Sequence, residues 1–79
     1  MVCERCAHAA VHAGRHAAHL ARTARWSELA ALARRAVALD PYHEAFRRRL
    51  IEALAGLGHR AEALEAYRHY ETVMVRELD

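Results

Sequence analysis

The sequence predicts an all-α fold of four helices arranged as two antiparallel pairs, and three observations predict it. Alanine, leucine, arginine and glutamate fill most of the 79 positions, while β-branched residues are sparse and serine occurs once. Such side chains sacrifice little rotamer freedom in a helix. Apolar residues recur at three-and-four spacing in successive blocks. The blocks are separated by residues that physically interrupt a helix, namely Asp40 with the chain's one proline, Pro41, and then Gly56-Leu57-Gly58. The chain therefore reads as one domain over residues 1–79, with helix pairs at about 3–39 and 41–77.

The first helix is expected over roughly residues 3–21. Ala7, Ala10, Val11, Ala17, Ala18 and Ala21 lie along one side and Leu20 sits near its end, a thin apolar face. Thr23 is expected to cap a second helix, roughly 24–39, whose Trp26, Leu29, Ala30, Ala33, Ala36 and Val37 form one buried stripe. A third helix, about 41–55, turns Phe46, Leu50, Ile51 and Leu54 inward and leaves Glu44, Arg47, Arg48 and Glu52 in water. Glycine tolerates the left-handed backbone common just past a helix C-terminus, so Gly56-Leu57-Gly58 stops it. The fourth helix, about 60–77, carries Ala63, Leu64, Tyr67, Tyr70, Val73 and Met74 on its apolar side. Val73, Met74, Val75 and Leu78 leave more apolar surface than three small helices readily cover, and self-association is expected at Val73, Met74 and Leu78.

Proline cannot donate a backbone N–H and disfavours helical geometry in the residue before it, so the second helix must end by Asp40. Asp40 is expected to accept the free N–H groups of the third helix, with Pro41 in its first position. Shifting the sequence by 34 residues aligns Leu20 with Leu54, Ala21 with Ala55, Glu28 with Glu62 and Arg34 with Arg68. It also sets Ala24 over Gly58 and Leu29 over Ala63. That period is the length of the tetratricopeptide helix-turn-helix unit, whose second helix ends in an acidic residue and proline before the next unit. The expected architecture is a right-handed, tetratricopeptide-like stack of two antiparallel helix pairs.

Trp26, the run Ala33-Arg34-Arg35-Ala36-Val37-Ala38-Leu39-Asp40-Pro41-Tyr42, Leu50 through Ala55, Gly58-His59-Arg60-Ala61-Glu62-Ala63-Leu64-Glu65-Ala66-Tyr67-Arg68 and Arg76-Glu77-Leu78 carry a closer likeness. Together they resemble the bacterial transcriptional activator domain, the tetratricopeptide-like module of antibiotic-pathway regulators and related bacterial regulators, over about residues 20–79. The resemblance implies a non-enzymatic, cytoplasmic protein-interaction role in self-association or activator contacts, with a protein partner or homodimer. Family members usually follow a winged-helix DNA-binding domain, contain about three helix pairs and continue through a glycine and a proline-containing tail. This chain has two pairs and ends at Glu77-Leu78-Asp79, so it is expected to be a truncated form or a fragment that does not bind DNA directly. Transferred from tetratricopeptide arrays, the register puts Ala45, Arg48, Glu52 and Ala55 on the wall of a concave groove. The alternative is that Arg48 and Glu52 merely pair along an exposed helix.

Composition excludes several other roles. The formal charge is +2, too small to imply nucleic acid, although nine arginines against four acids in residues 1–49 contrast with three against six in residues 50–79. No apolar run approaches the ~20 residues needed to span a bilayer. One serine, Ser27, and no glycine-rich phosphate loop leave no triad or nucleotide site, and no cofactor or small-molecule substrate is expected. Trp26, Tyr67 and Tyr70 fall in apolar stripes and are expected to pack in the core. Cys3 and Cys6 form a C-x2-C pair followed by His8, His12, His16 and His19, with His8, His12 and His16 in one helical column. A metal or redox site there is the alternative function. Structural zinc sites usually draw their second ligand pair from a separate element, so metal binding is not expected. A generic helical adaptor unrelated to transcription is a further alternative.

Overall fold

A left-handed residue reverses the chain at two places, and in the computed structural model these reversals separate helices where the sequence breaks predict. The structure describes the backbone of residues 4–78 and the side chains of residues 11–75. Among them are four helices and no strand: α1 (Glu4–Arg22), α2 (Trp26–Leu39), α3 (Glu44–Gly56) and α4 (Arg60–Leu78). The all-α expectation is met, and no helix end differs from expectation by more than three residues.

The α1–α2 and α3–α4 turns are built alike. In the second, Gly58 (φ 80°) donates to the Ala55 carbonyl at 3.0 Å and His59 to that of Leu54 at 2.9 Å. In the first, Ala24 (φ 55°) donates to Ala21 at 3.2 Å and Arg25 to Leu20 at 2.9 Å. Both are the two-bond motif that satisfies the last carbonyls of a helix. Ala24 makes it despite a Cβ that is crowded in the left-handed region. The reversal also corrects the expected cap, because it turns Thr23 back over α1. The Thr23 hydroxyl donates to the carbonyls of His19 and Leu20, and Arg25 precedes α2 without a side-chain cap.

The joint between the pairs departs from expectation as well. Asp40 is extended (φ −142°, ψ 91°), as a residue before proline should be, and its N–H makes the last bond of α2 to Ala36 at 2.9 Å. Asp40-Pro41-Tyr42-His43 then forms a turn, closed by the His43 N–H donating to the Asp40 carbonyl at 3.1 Å. The Asp40 carboxylate accepts the Tyr42 N–H at 3.2 Å rather than capping α3, which begins at Glu44 with His43 before it. Pro41 thus occupies the second position of a turn, not the first position of a helix. Arg47, expected in water, is buried because the turn folds over the start of α3 and its Nε donates to the Pro41 carbonyl.

α3 packs against each of the other three helices. The core is Ala17, Leu20, Leu29, Ala30, Phe46 and Ala53, flanked by Trp26, Val37 and Leu50, with Ala33 and Leu54 also buried. The stripe expected on α2 and the inward side expected on α3 are therefore both observed. Val11 is exposed, contrary to its place on the expected α1 face; among the described residues of α1, those that reach the core are Ala13, Ala17, Leu20 and Ala21, further along the helix. Leu64 and Tyr67 are also exposed, lying on the flank of α4 turned away from α3.

Candidate functional site

Ala45, Arg48, Glu52 and Ala55 recur at helical spacing on α3, and all four are exposed along one face. Both charged members pair with neighbours along this exposed helix, as the alternative has it. Arg48 Nη2 lies 3.3 Å from Glu44 Oε1, while Glu52 Oε1 lies 3.2 Å from Arg49 Nη1. The face divides accordingly. Arg48 turns toward α4, where its hydrogen bond with Tyr70 and the nearby Glu44 carboxylate raise its pKa above the ordinary arginine value. Tyr70 in turn donates to Glu44 Oε1 at 2.8 Å, so these three side chains tie α3 to α4.

Glu52 turns the other way, into an open cleft that it shares with Ala18, Ala21, Arg22, Trp26 and Arg49. Small side chains on α1 form one wall and the half-buried Trp26 indole lines the cleft. Trp26 is seated on Gly56: a Cβ there would fall 2.4 to 2.6 Å from three indole atoms. Gly56 thus admits the indole in addition to ending α3. Sequence reasoning found Glu52 but missed Arg22, Arg49 and Trp26, because their convergence depends on how α1 and α2 cross α3. Arg22 has no ion-pair partner among the described residues.

On α4, Val73 and Met74 are half-buried, Val75 is exposed, and the side chain of Leu78 lies outside the described residues. Tyr67 is exposed and Tyr70 half-buried, so the expected core role holds in part for Tyr70 and not for Tyr67. The Tyr67 hydroxyl bonds to Glu71, and chiefly for that reason its pKa is raised above 10.0.

Cys3 and the side chains of Cys6 and His8 lie outside the described residues; His12, His16 and His19 are exposed on α1. Among the described residues no group of three or more His, Cys, Asp or Glu is arranged to hold a metal ion. No helix among them is long and apolar enough to cross a membrane. The family model for the bacterial transcriptional activator domain matches residues 1–79, including the N-terminal helix that the sequence motifs left outside the resemblance. No curated protein and no solved structure matches the chain.

Proposed function

Since this chain belongs to the bacterial transcriptional activator domain family, we propose that it serves a transcriptional regulator through protein–protein contact and performs no chemistry of its own. The observation that carries this reading is one turn geometry repeated at Ala24 and Gly58, 34 residues apart, the length of a tetratricopeptide unit. It supports a single tetratricopeptide-like stack over residues 1–79 in which α1 and α3 face a common groove. The groove is lined by Ala45, Arg48, Glu52 and Ala55 and continues into the cleft at Trp26. Its ligand is a polypeptide segment: alanines on both walls permit close backbone approach, and Arg22 and Arg49 offer charged donors beside an aromatic face.

Direct DNA binding is not part of this role. The formal charge is only +2, and of the first-half arginines Arg25, Arg34, Arg48 and Arg49 are paired with carboxylates and Arg47 is buried. The site of action is the cytoplasm, and no cofactor is used.

Fusing the chain to an unrelated DNA-binding domain upstream of a reporter promoter tests the proposal. Transcription is expected to rise with the fused chain and to fall to the level of the bare DNA-binding domain when Arg48→Glu and Ala55→Arg are introduced together, with the helical content unchanged. A fused chain that is folded yet leaves transcription at the bare level would overturn it.

A further inference from the structure

We propose that the cleft beside Trp26 takes one carboxylate side chain, an aspartate or glutamate with an apolar neighbour, from a segment of a partner protein. The proposal rests on the protein-contact reading above and names the chemistry of its ligand.

Hydrogen-bond donors outnumber acceptors in this cleft. Ala18, Ala21, Arg22, Trp26, Arg49 and Glu52 line an open space of about 470 Å³. That lies within the ~300 to 1,000 Å³ of small-ligand sites, so it holds a few side chains and not a folded element. Arg49 Nη1 donates to Glu52 Oε1 at 3.2 Å, which uses one N–H of the guanidinium fork and leaves the others. Arg22 is exposed and meets no carboxylate among the described residues. The Trp26 indole N–H has no hydrogen-bond acceptor among them either. An ionised carboxylate is an acceptor only and supplies what these groups lack.

Charge sets both the sign of the ligand and its number. Arg22 and Arg49 against Glu52 leave the cleft at a formal +1, while the Arg25–Glu28 pair at the start of α2 is already neutral. One carboxylate therefore balances the cleft, and a second would stand uncompensated beside Glu52. A lysine or arginine would have to draw Glu52 away from Arg49 and stand next to Arg22, which opposes it. A single surplus charge is too little for a phosphate backbone, and one face of the indole rests on Gly56, where no base can stack. The remaining surface suits an apolar neighbour of the acid. Ala18 and Ala21 keep the α1 wall low, and the half-buried indole gives an aliphatic or aromatic side chain an apolar seat. Arg48 and Ala45 carry the exposed face of α3 on past the cleft, so the segment runs through it and the carboxylate belongs to a side chain, not to a chain end.

Selection of short random peptides on the 79-residue chain, followed by synthesis of the selected peptides with both ends capped, tests the proposal. The peptides are expected to share one aspartate or glutamate next to an apolar residue and to change the fluorescence of Trp26, the one tryptophan of the chain. Replacing that acid by its amide should weaken binding by ~5-fold, and Arg22→Glu should weaken it by ~10-fold or more while far-ultraviolet circular dichroism reports unchanged helix. Arg22→Gln, which removes the charge without reversing it, should give the smaller loss. A peptide with lysine in place of the acid should bind Arg22→Glu better than it binds the wild-type chain. Failure to select any peptide, an amide form that binds as tightly as the acid, or a single-stranded oligonucleotide bound with the same dependence on Arg22 would overturn the proposal. Peptides without an acidic position whose binding is still lost on joint Arg48→Glu and Ala55→Arg replacement would sink the carboxylate alone and leave the broader function standing.

Discussion

The first helix pair places the stripe Trp26, Ala30, Ala33 and Val37 beside α3, whereas the second pair carries Arg60, Leu64, Tyr67 and Glu71 at the same repeat positions, with Leu64 and Tyr67 open to solvent. The two pairs share their turn geometry and their helical period, so local structure does not account for the difference. Residue size and the neighbouring helix do. Alanines at 30 and 33 and glycine at 56 let α3 approach closely enough for an indole to lie on its backbone. At the second stripe, Leu64 and Tyr67 stand where the first has alanines, and about half of each is exposed. The covered stripe should therefore govern stability, and the open one should contribute little to it.

Truncation on the covered side should have the largest effect. Phe46→Ala and Leu29→Ala each remove a buried core side chain and should cost about 3 to 5 kcal/mol, comparable to the whole stability of a domain this size. Loss of the cooperative transition in urea is the expected result. Leu64→Ala on the open stripe should move the midpoint by no more than ~0.5 kcal/mol, and equal effects at the two stripes would break the distinction. Next is Gly56→Ala, which drives a methyl into the Trp26 ring and should cost about 1 to 3 kcal/mol, with Trp26 fluorescence shifting to longer wavelength as the indole becomes more hydrated.

The paired turns provide a smaller test with opposite signs. Ala24→Gly relieves a left-handed alanine and should stabilise the chain by about 0.5 to 1 kcal/mol, while Gly58→Ala should destabilise it by about 1 kcal/mol. Thermal melts of the two variants should move in opposite directions by several degrees, on the order of 4 to 8 °C per kcal/mol. If both move the same way, the turns are not equivalent. The smallest effect concerns the open stripe alone. Because Glu71 raises the Tyr67 pKa, Glu71→Gln should lower it toward the ordinary tyrosine value, measurable by ultraviolet titration. A raised pKa favours the protonated phenol in the folded state, so the associated stability is present below the unfolded pKa and disappears as pH rises through the folded one.

Much of the fold was legible because its signals are short-range. Pro41 forces Asp40 out of helix, Gly58 accepts a positive φ, and Leu29, Ala30 and Ala33 recur at the spacing of one helical face. The same local reasoning erred where the backbone turned unexpectedly. Thr23 looked like a cap for α2 because it precedes that helix, yet the reversal at Ala24 returns it to α1. Of the candidate groove, the exposed row on α3 was readable from spacing. Its division, with Arg48 held by Tyr70 and Glu52 set beside Trp26, was not, since those neighbours are 22 and 26 residues away in sequence.

The sequence by itself determined four helical segments, the breaks between them and the 34-residue period, which follow from propensity, turn chemistry and side-chain order along the chain, and its likeness to known sequences pointed to the family. Tertiary structure alone decided that Arg47 is buried under the Pro41 carbonyl, that Gly56 seats Trp26, and that Leu64 and Tyr67 face solvent. The physical reason is that periodicity assigns a side chain to a face of its own helix, while burial depends on which other helix lies against that face and at what distance. Those two quantities arise only when the helices pack.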